Sequence, residues 1–148
     1  MGFFDGLKSM TNAITGGAAK VDLEVLDPTV RGPFTVVVRA LVGDADLEIN
    51  RVYVKVCSEE EVEPRGVYDA EGNELEIEVQ TFAAEYEVAG AATLPAGSEH
   101  EWAVEIELPE GCQPSYKGPN AEHEWEFFAG LDAFGNDPDS GWIDVEVW

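Results

Sequence analysis

Positive charge is the scarcest thing in this chain. Its 148 residues hold 8 Lys+Arg against 31 Asp+Glu, a formal net charge of -23 at pH 7. Nucleic-acid binding depends on clustered Lys and Arg facing phosphates. Here the bases are scattered, from Lys8 and Lys20 through Arg31, Arg39, Arg51, Lys55 and Arg65 to Lys117. Nucleic acid is therefore excluded as a partner, and an anionic membrane surface is disfavoured. Cysteine is nearly absent as well. Cys57 and Cys112 read as reduced thiols of a cytoplasmic protein, with a disulfide between them the other reading. The opening residues lack a basic stretch followed by a long apolar one, so no signal peptide is expected. No run approaches the ~18 apolar residues of a membrane span.

Catalytic groups are equally sparse. His100 and His123 are the only histidines, each flanked by glutamates. Zinc needs three or four convergent ligands, and these two histidines read as cross-strand surface residues. No nucleophile elbow or Ser/His/Asp arrangement can be built from them. Paired carboxylates for sugar hydrolysis need a cleft, whereas these acids fall on solvent faces. The chain is expected not to be an enzyme.

What the chain has is alternation. Val21-Asp22-Leu23-Glu24-Val25, Leu75-Glu76-Ile77-Glu78-Val79, Val104-Glu105-Ile106-Glu107-Leu108 and Ile143-Asp144-Val145-Glu146-Val147 all place apolar and acidic residues one for one. Period two marks a strand with one face buried and one in water. Strands are expected at 20–26, 34–42, 47–57, 74–81, 85–88, 99–108, 122–132 and 142–147, separated by Gly, Pro, Asn and Asp turns. Short strands at this spacing, with no helical pattern between them, suggest two packed sheets. Residues 34–42 are apolar on both parities, which predicts cover on both faces. The parity shift between Ile49 and Val52 predicts a β-bulge at Asn50 or Arg51. Residues 57–64, rich in glutamate, read as a solvated loop or a strand edge guarded by charge.

Residues 1–19 differ. Phe3, Leu7, Met10 and Ile14, with Phe4 beside them, form an apolar helical stripe ended by Gly16-Gly17. Two units follow: an amphipathic helix over 1–19 and an all-β domain over 20–148. The helix either packs on the domain or serves docking or self-association. Trp102 and Trp125 fall in phase with apolar neighbours and point inward. Phe128, Trp142 and Trp148 share parity with acids and point outward. They mark a partner surface, or else a surface that the helix covers. Asp132, Asn136, Asp137 and Asp139 surround a Gly-Asn turn, and such closely spaced oxygens suit calcium. The same residues also make ordinary hairpin turns, and both readings stand. No other cofactor is expected. The spread of acids over nearly every strand points to a surface adapted to high salt, where self-repulsion is screened.

Three segments together resemble the arrestin-like superfamily. The first runs from Phe3-Phe4-Asp5-Gly6-Leu7-Lys8 to Gly17-Ala18-Ala19-Lys20-Val21-Asp22, and is similar to the start of the sporulation-control protein family. The second is Leu94-Pro95-Ala96-Gly97, then Leu108-Pro109 and Pro114-Ser115. The third is Gly130-Leu131-Asp132 with Asp137-Pro138-Asp139 and Trp142-Ile143-Asp144-Val145. The resemblance implies an all-β, arrestin-like (immunoglobulin-like) antiparallel β-sandwich with a short N-terminal helix. It also implies a regulatory or scaffold role through a protein partner or self-association, without catalysis. Family members commonly continue beyond this domain. The polar core of arrestins has no matching Arg–Asp set here.

Overall fold

The computed structural model describes residues 17–148. The expected N-terminal helix, with Phe3, Phe4, Leu7, Met10 and Ile14, lies outside the described residues. From there on alternation becomes strand. The elements are β1 (Ala19–Leu26), β2 (Pro33–Val42), β3 (Leu47–Val62), β4 (Ile77–Ala89), β5 (Ala92–Leu94), β6 (Glu99–Glu107), β7 (Tyr116–Lys117), β8 (Ala121–Ala133) and β9 (Ile143–Val145). Every pairing between them is antiparallel. β1-β2-β6 make a three-stranded sheet. The larger sheet runs β4-β3-β8-β7, with β5 also on β3 and β9 also on β8.

The apolar parity of each sheet enters one common core. Val21, Leu23, Val36, Val38, Ala40 and Ile106 come from the smaller sheet, and Val52, Val54, Val56, Phe127, Ala129 and Leu131 from the larger. Phe34 of β2 meets Phe127 of β8 edge-on, with ring centroids 6.0 Å apart. Each fully buried Val, Leu or Phe contributes about 1.5–3 kcal/mol, so this shared core supplies the main cohesion. A clasp adds to it. Val147 is fully buried, its amide donates to Ser115 Oγ at 2.9 Å, and Trp148 exchanges backbone bonds with the β1–β2 turn at Pro28 and Val30.

β2 is the central strand of its sheet, and its apolar excess follows from that place. Val37 is buried even on the outer face. Beside it Arg39 lies opposite Asp22 and Glu101 and holds Glu24 at 2.8 Å. The bulge expected near Asn50 is present: the β3–β8 register shifts between Ile49 and Arg51.

Several boundaries differ from expectation. β3 runs on to Val62, so the glutamate-rich stretch through that residue is strand. The two strands expected at 74–81 and 85–88 are a single β4. Phe82-Ala83-Ala84 offers no turn residue, and an irregularity at Ser58/Glu59 absorbs one extra residue, Thr81. The last expected strand shortens to Ile143–Val145.

The larger sheet is also longer than the smaller one. β3 and β8 have 16 and 13 residues, against 8 and 10 in β1 and β2. Its far end, at Val62, Ile77 and Ala121, therefore projects past the smaller sheet. Ile77 and Val79 are 45% and 51% exposed. Their alternation with glutamate is real, but among the described residues no opposing strand covers their apolar side.

Candidate functional site

Two regions share the outer face of the larger sheet. Near the Leu47 end, β3 and β8 place Arg51 opposite Asp132, Tyr53 opposite Gly130 and Lys55 opposite Phe128. Since Val52, Val54 and Val56 enter the core, these residues face outward. Tyr53 stacks with Phe128 at 6.4 Å, and Phe128 meets Trp142 at 5.3 Å. The Arg51 guanidinium sits 4.6 Å above the Tyr53 ring, and the Lys55 ammonium 5.5 Å from the Phe128 ring. Both are cation–π distances. The structure thus brings together two of the three aromatic residues expected at a partner surface. Trp142 is exposed and Phe128 half-buried.

The acidic loop after β8 closes over this cluster. Tyr53 donates to Asp137 Oδ2 at 2.8 Å, and the Ala133 amide donates to Asp137 Oδ1 at 3.0 Å. Asp139 Oδ1 accepts the Gly141 amide at 2.9 Å. Asp132 pairs with Arg51 at 3.6 Å, while Asn136 lies exposed. These carboxylates already hold the turn and the tyrosine. Burial and Asp137 together push the Tyr53 phenol well above its ordinary pKa. Gly130 allows the arrangement: a Cβ there would stand 2.4 Å from the Tyr53 ring.

The far half of the same face is carboxylate. Glu59, Glu61 and Cys57 lie opposite Glu124, Glu122 and Glu126 on β8, and Glu78 of β4 lies opposite Glu61. Carboxylate oxygens of Glu61, Glu63 and Glu76 come within 4.8 Å of one another. The hydrogen bond that protonated Glu61 donates to Glu63, with desolvation and the charges of Glu63, Glu76 and Glu122, raises Glu61 to about 7. Repulsion from Glu63 raises Glu76. Burial and Asp144 raise Glu126. Lys117 answers locally, 3.5 Å from Glu122.

Trp148 stands apart from the other two outward aromatics. It is 71% exposed and walls a groove of about 300 Å³ between β7 and β9, with Tyr116, Glu124, Asp144 and Glu146 around it. Its backbone is fixed to the turn at the end of β1 remote from Gly17.

One of the two histidines departs from the surface placement expected. His123 is only 3% exposed. Its Nε2 meets Thr81 Oγ1 at 2.7 Å, its Nδ1 meets the Pro114 carbonyl at 3.0 Å, and Thr81 meets Ser58 at 2.7 Å. His100 sits in the other sheet, stacked on Trp102. Cys57 and Cys112 are free, and Cys57 is turned toward Glu126.

Sequence reasoning missed Tyr53, Gly130 and the His123–Thr81–Ser58 chain. The Tyr in a parity-shifted strand and the Gly inside an otherwise apolar one were the available signals.

Comparison with known proteins places this architecture. Searched by sequence, the curated proteins give no match. Among solved structures, the chain is similar to the sporulation control protein Spo0M from Bacillus subtilis. The TM-score is 0.64 at 22% identity, over 88% of this chain and 49% of that one. That likeness is one of fold, and the chain spans about half the length of that structure. The sequence itself matches the family described as SpoOM protein over residues 7–116. With well over half of its length matched and the fold in agreement, this chain belongs to the SpoOM family of sporulation-control proteins.

Proposed function

We propose that this chain is a non-enzymatic regulatory domain, an arrestin-like β-sandwich that acts in the cytoplasm by holding another protein. The observation that carries the reading is the far end of the larger sheet. There β4 leaves Ile77 and Val79 about half exposed, beyond the reach of the smaller sheet. An uncovered apolar stripe rimmed by polar groups is the mark of an interaction surface. The histidines support the absence of catalysis. They lie in different sheets, and both ring nitrogens of His123 are held by Thr81 and Pro114. Among the described residues no helix is long and apolar enough to cross a membrane.

The acidity belongs to a salt-adapted surface. With 31 Asp+Glu on the chain, counterions relieve the repulsion of the folded state. The test is affinity capture from native lysate at molar KCl, with the intact chain immobilised. A stoichiometric protein partner is expected. Recovery of none, at low and high salt alike, overturns the reading.

A calcium-holding module is the second reading, through Asp132, Asn136, Asp137 and Asp139. It has the exposed Asn136 and the oxygens left over from the turn on its side. A saturable rise in melting temperature with millimolar calcium, lost in Asp137→Asn/Asp139→Asn, would establish it. A diffuse effect without saturation is the expected result.

A further inference from the structure

β4 is the end strand of the larger sheet. Among the described residues, no strand lies on its side away from β3. Its second half packs on the core through Phe82, Tyr86 and Val88. Its first half does not: Ile77 to Thr81 are exposed on both faces. An open strand edge with protruding β-branched side chains is a template to which another chain can add.

The two faces of this edge differ in chemistry. Val62 pairs with Ile77 and Glu60 with Val79, so the inner side sets Ile77, Val79 and Val62 around a single carboxylate, Glu60. Glu78 pairs with Glu61, and the carboxylates of Glu61, Glu63 and Glu76 crowd together on the outer side.

We propose that Ile77–Phe82 receives an extended segment of a partner protein as an added strand, and that this segment alternates apolar residues with Lys or Arg. The inference rests on the protein-contact reading above and gives that partner its chemistry. Successive side chains of a strand point to opposite faces. An apolar–basic alternation therefore lays its apolar residues beside Ile77 and Val79 and its cations beside Glu78 and Glu76.

A second copy of this chain fits poorly. β4 carries Glu78, Glu85 and Glu87 and no base. Setting the two Ile77/Val79 stripes against each other brings Glu78 opposite Glu78. The segment ahead of Gly17 also fails as occupant. Gly17 lies at the end where Ala18 meets Gly43, and β3 runs about 50 Å from there to Val62. Residues 1–16 also carry one base, Lys8, and no apolar–basic alternation.

The experiment is hydrogen exchange on the intact chain with acetyl-Lys-Val-Lys-Val-Lys-Val-Lys amide, and with the same peptide carrying Glu for Lys. The Lys peptide should slow exchange of the 77–82 amides by about tenfold at saturation, and the Glu peptide should not. Ile77→Asn/Val79→Asn should lose that protection and keep the native melting temperature. Protection elsewhere, as at the Trp148 groove, overturns the β4 assignment, as does equal protection in the double variant. A captured partner that binds the double variant equally well overturns it too, and leaves the protein-contact reading in place. Protection of 77–82 that rises with protein concentration alone, alongside a dimer in sedimentation, makes the occupant a second copy and also overturns it.

Discussion

The near and far halves of the larger sheet's outer face are made by the same strands and behave as opposites. In the near half opposite charges meet. Arg51 meets Glu85 and Asp132, Asp137 holds Tyr53, and a loop covers the ring. In the far half glutamate faces glutamate across β4, β3 and β8. The first region is a completed piece of structure, whose groups lose partners when altered. The second, outside the Lys117–Glu122 pair, holds repulsion that a cation, a proton or salt would lower. Stability should therefore be sensitive in the near half, and response to solvent and ligand should be concentrated in the far half.

The sharpest way to break this contrast is at Gly130. Gly130→Ala drives a methyl into the Tyr53 ring and should cost about 2–3 kcal/mol, read from the urea midpoint. Combining it with Tyr53→Ala should cost less than the sum of the single changes, because the clash is removed. Strict additivity would separate the two residues energetically. Next in size is Asp137→Ala, which strands the Tyr53 hydroxyl and the Ala133 amide. About 1–3 kcal/mol should be lost. An unchanged midpoint would show that water replaces the carboxylate.

The far half should show itself through pH. Glu61 has its folded pKa raised from 4.5 to about 7, so between those values the folded chain binds more protons than the unfolded one. Stability therefore falls as pH rises across that window and levels above it. Glu76 and Glu126 shift the same way. Glu61→Gln should flatten the fall between pH 5 and pH 8 at low ionic strength, and molar KCl should flatten it in the native chain. A slope that survives the substitution would place its origin elsewhere. Smallest of all is the effect of Ile77→Asn/Val79→Asn on the free protein, within about 0.5 kcal/mol. A larger loss would mean that the stripe is part of the core after all.

Much of this could be read from residue order, for a local reason. Period-two alternation reports that a strand has two unlike faces, and it located β1, β6 and β8. The parity shift at Asn50 located the bulge, because one added residue flips every later side chain. Whether an apolar face is covered depends on the length of the sheet opposite, set by strands far away in sequence. Leu75-Glu76-Ile77-Glu78-Val79 therefore looks like Val104-Glu105-Ile106-Glu107-Leu108, yet Ile77 is half exposed and Ile106 is buried. His123 was misplaced for the same kind of reason. Its partners, Thr81 and Pro114, come from other parts of the chain. Two of the three outward aromatics form one cluster, but nothing local could tell that Trp148 lies on a separate groove.

The pairing of β3 with β8 has a consequence during synthesis. β3 is complete at residue 62 and β8 only at residue 133, an interval of roughly 4–14 s at about 5–20 residues per second. Through that interval the nascent β3 can gain β4 and β5 on one flank while the other stays bare. Glu59, Glu60, Glu61 and Glu63 fall at the end of that bare flank, where their charge discourages chains on neighbouring ribosomes from annealing before β8 arrives.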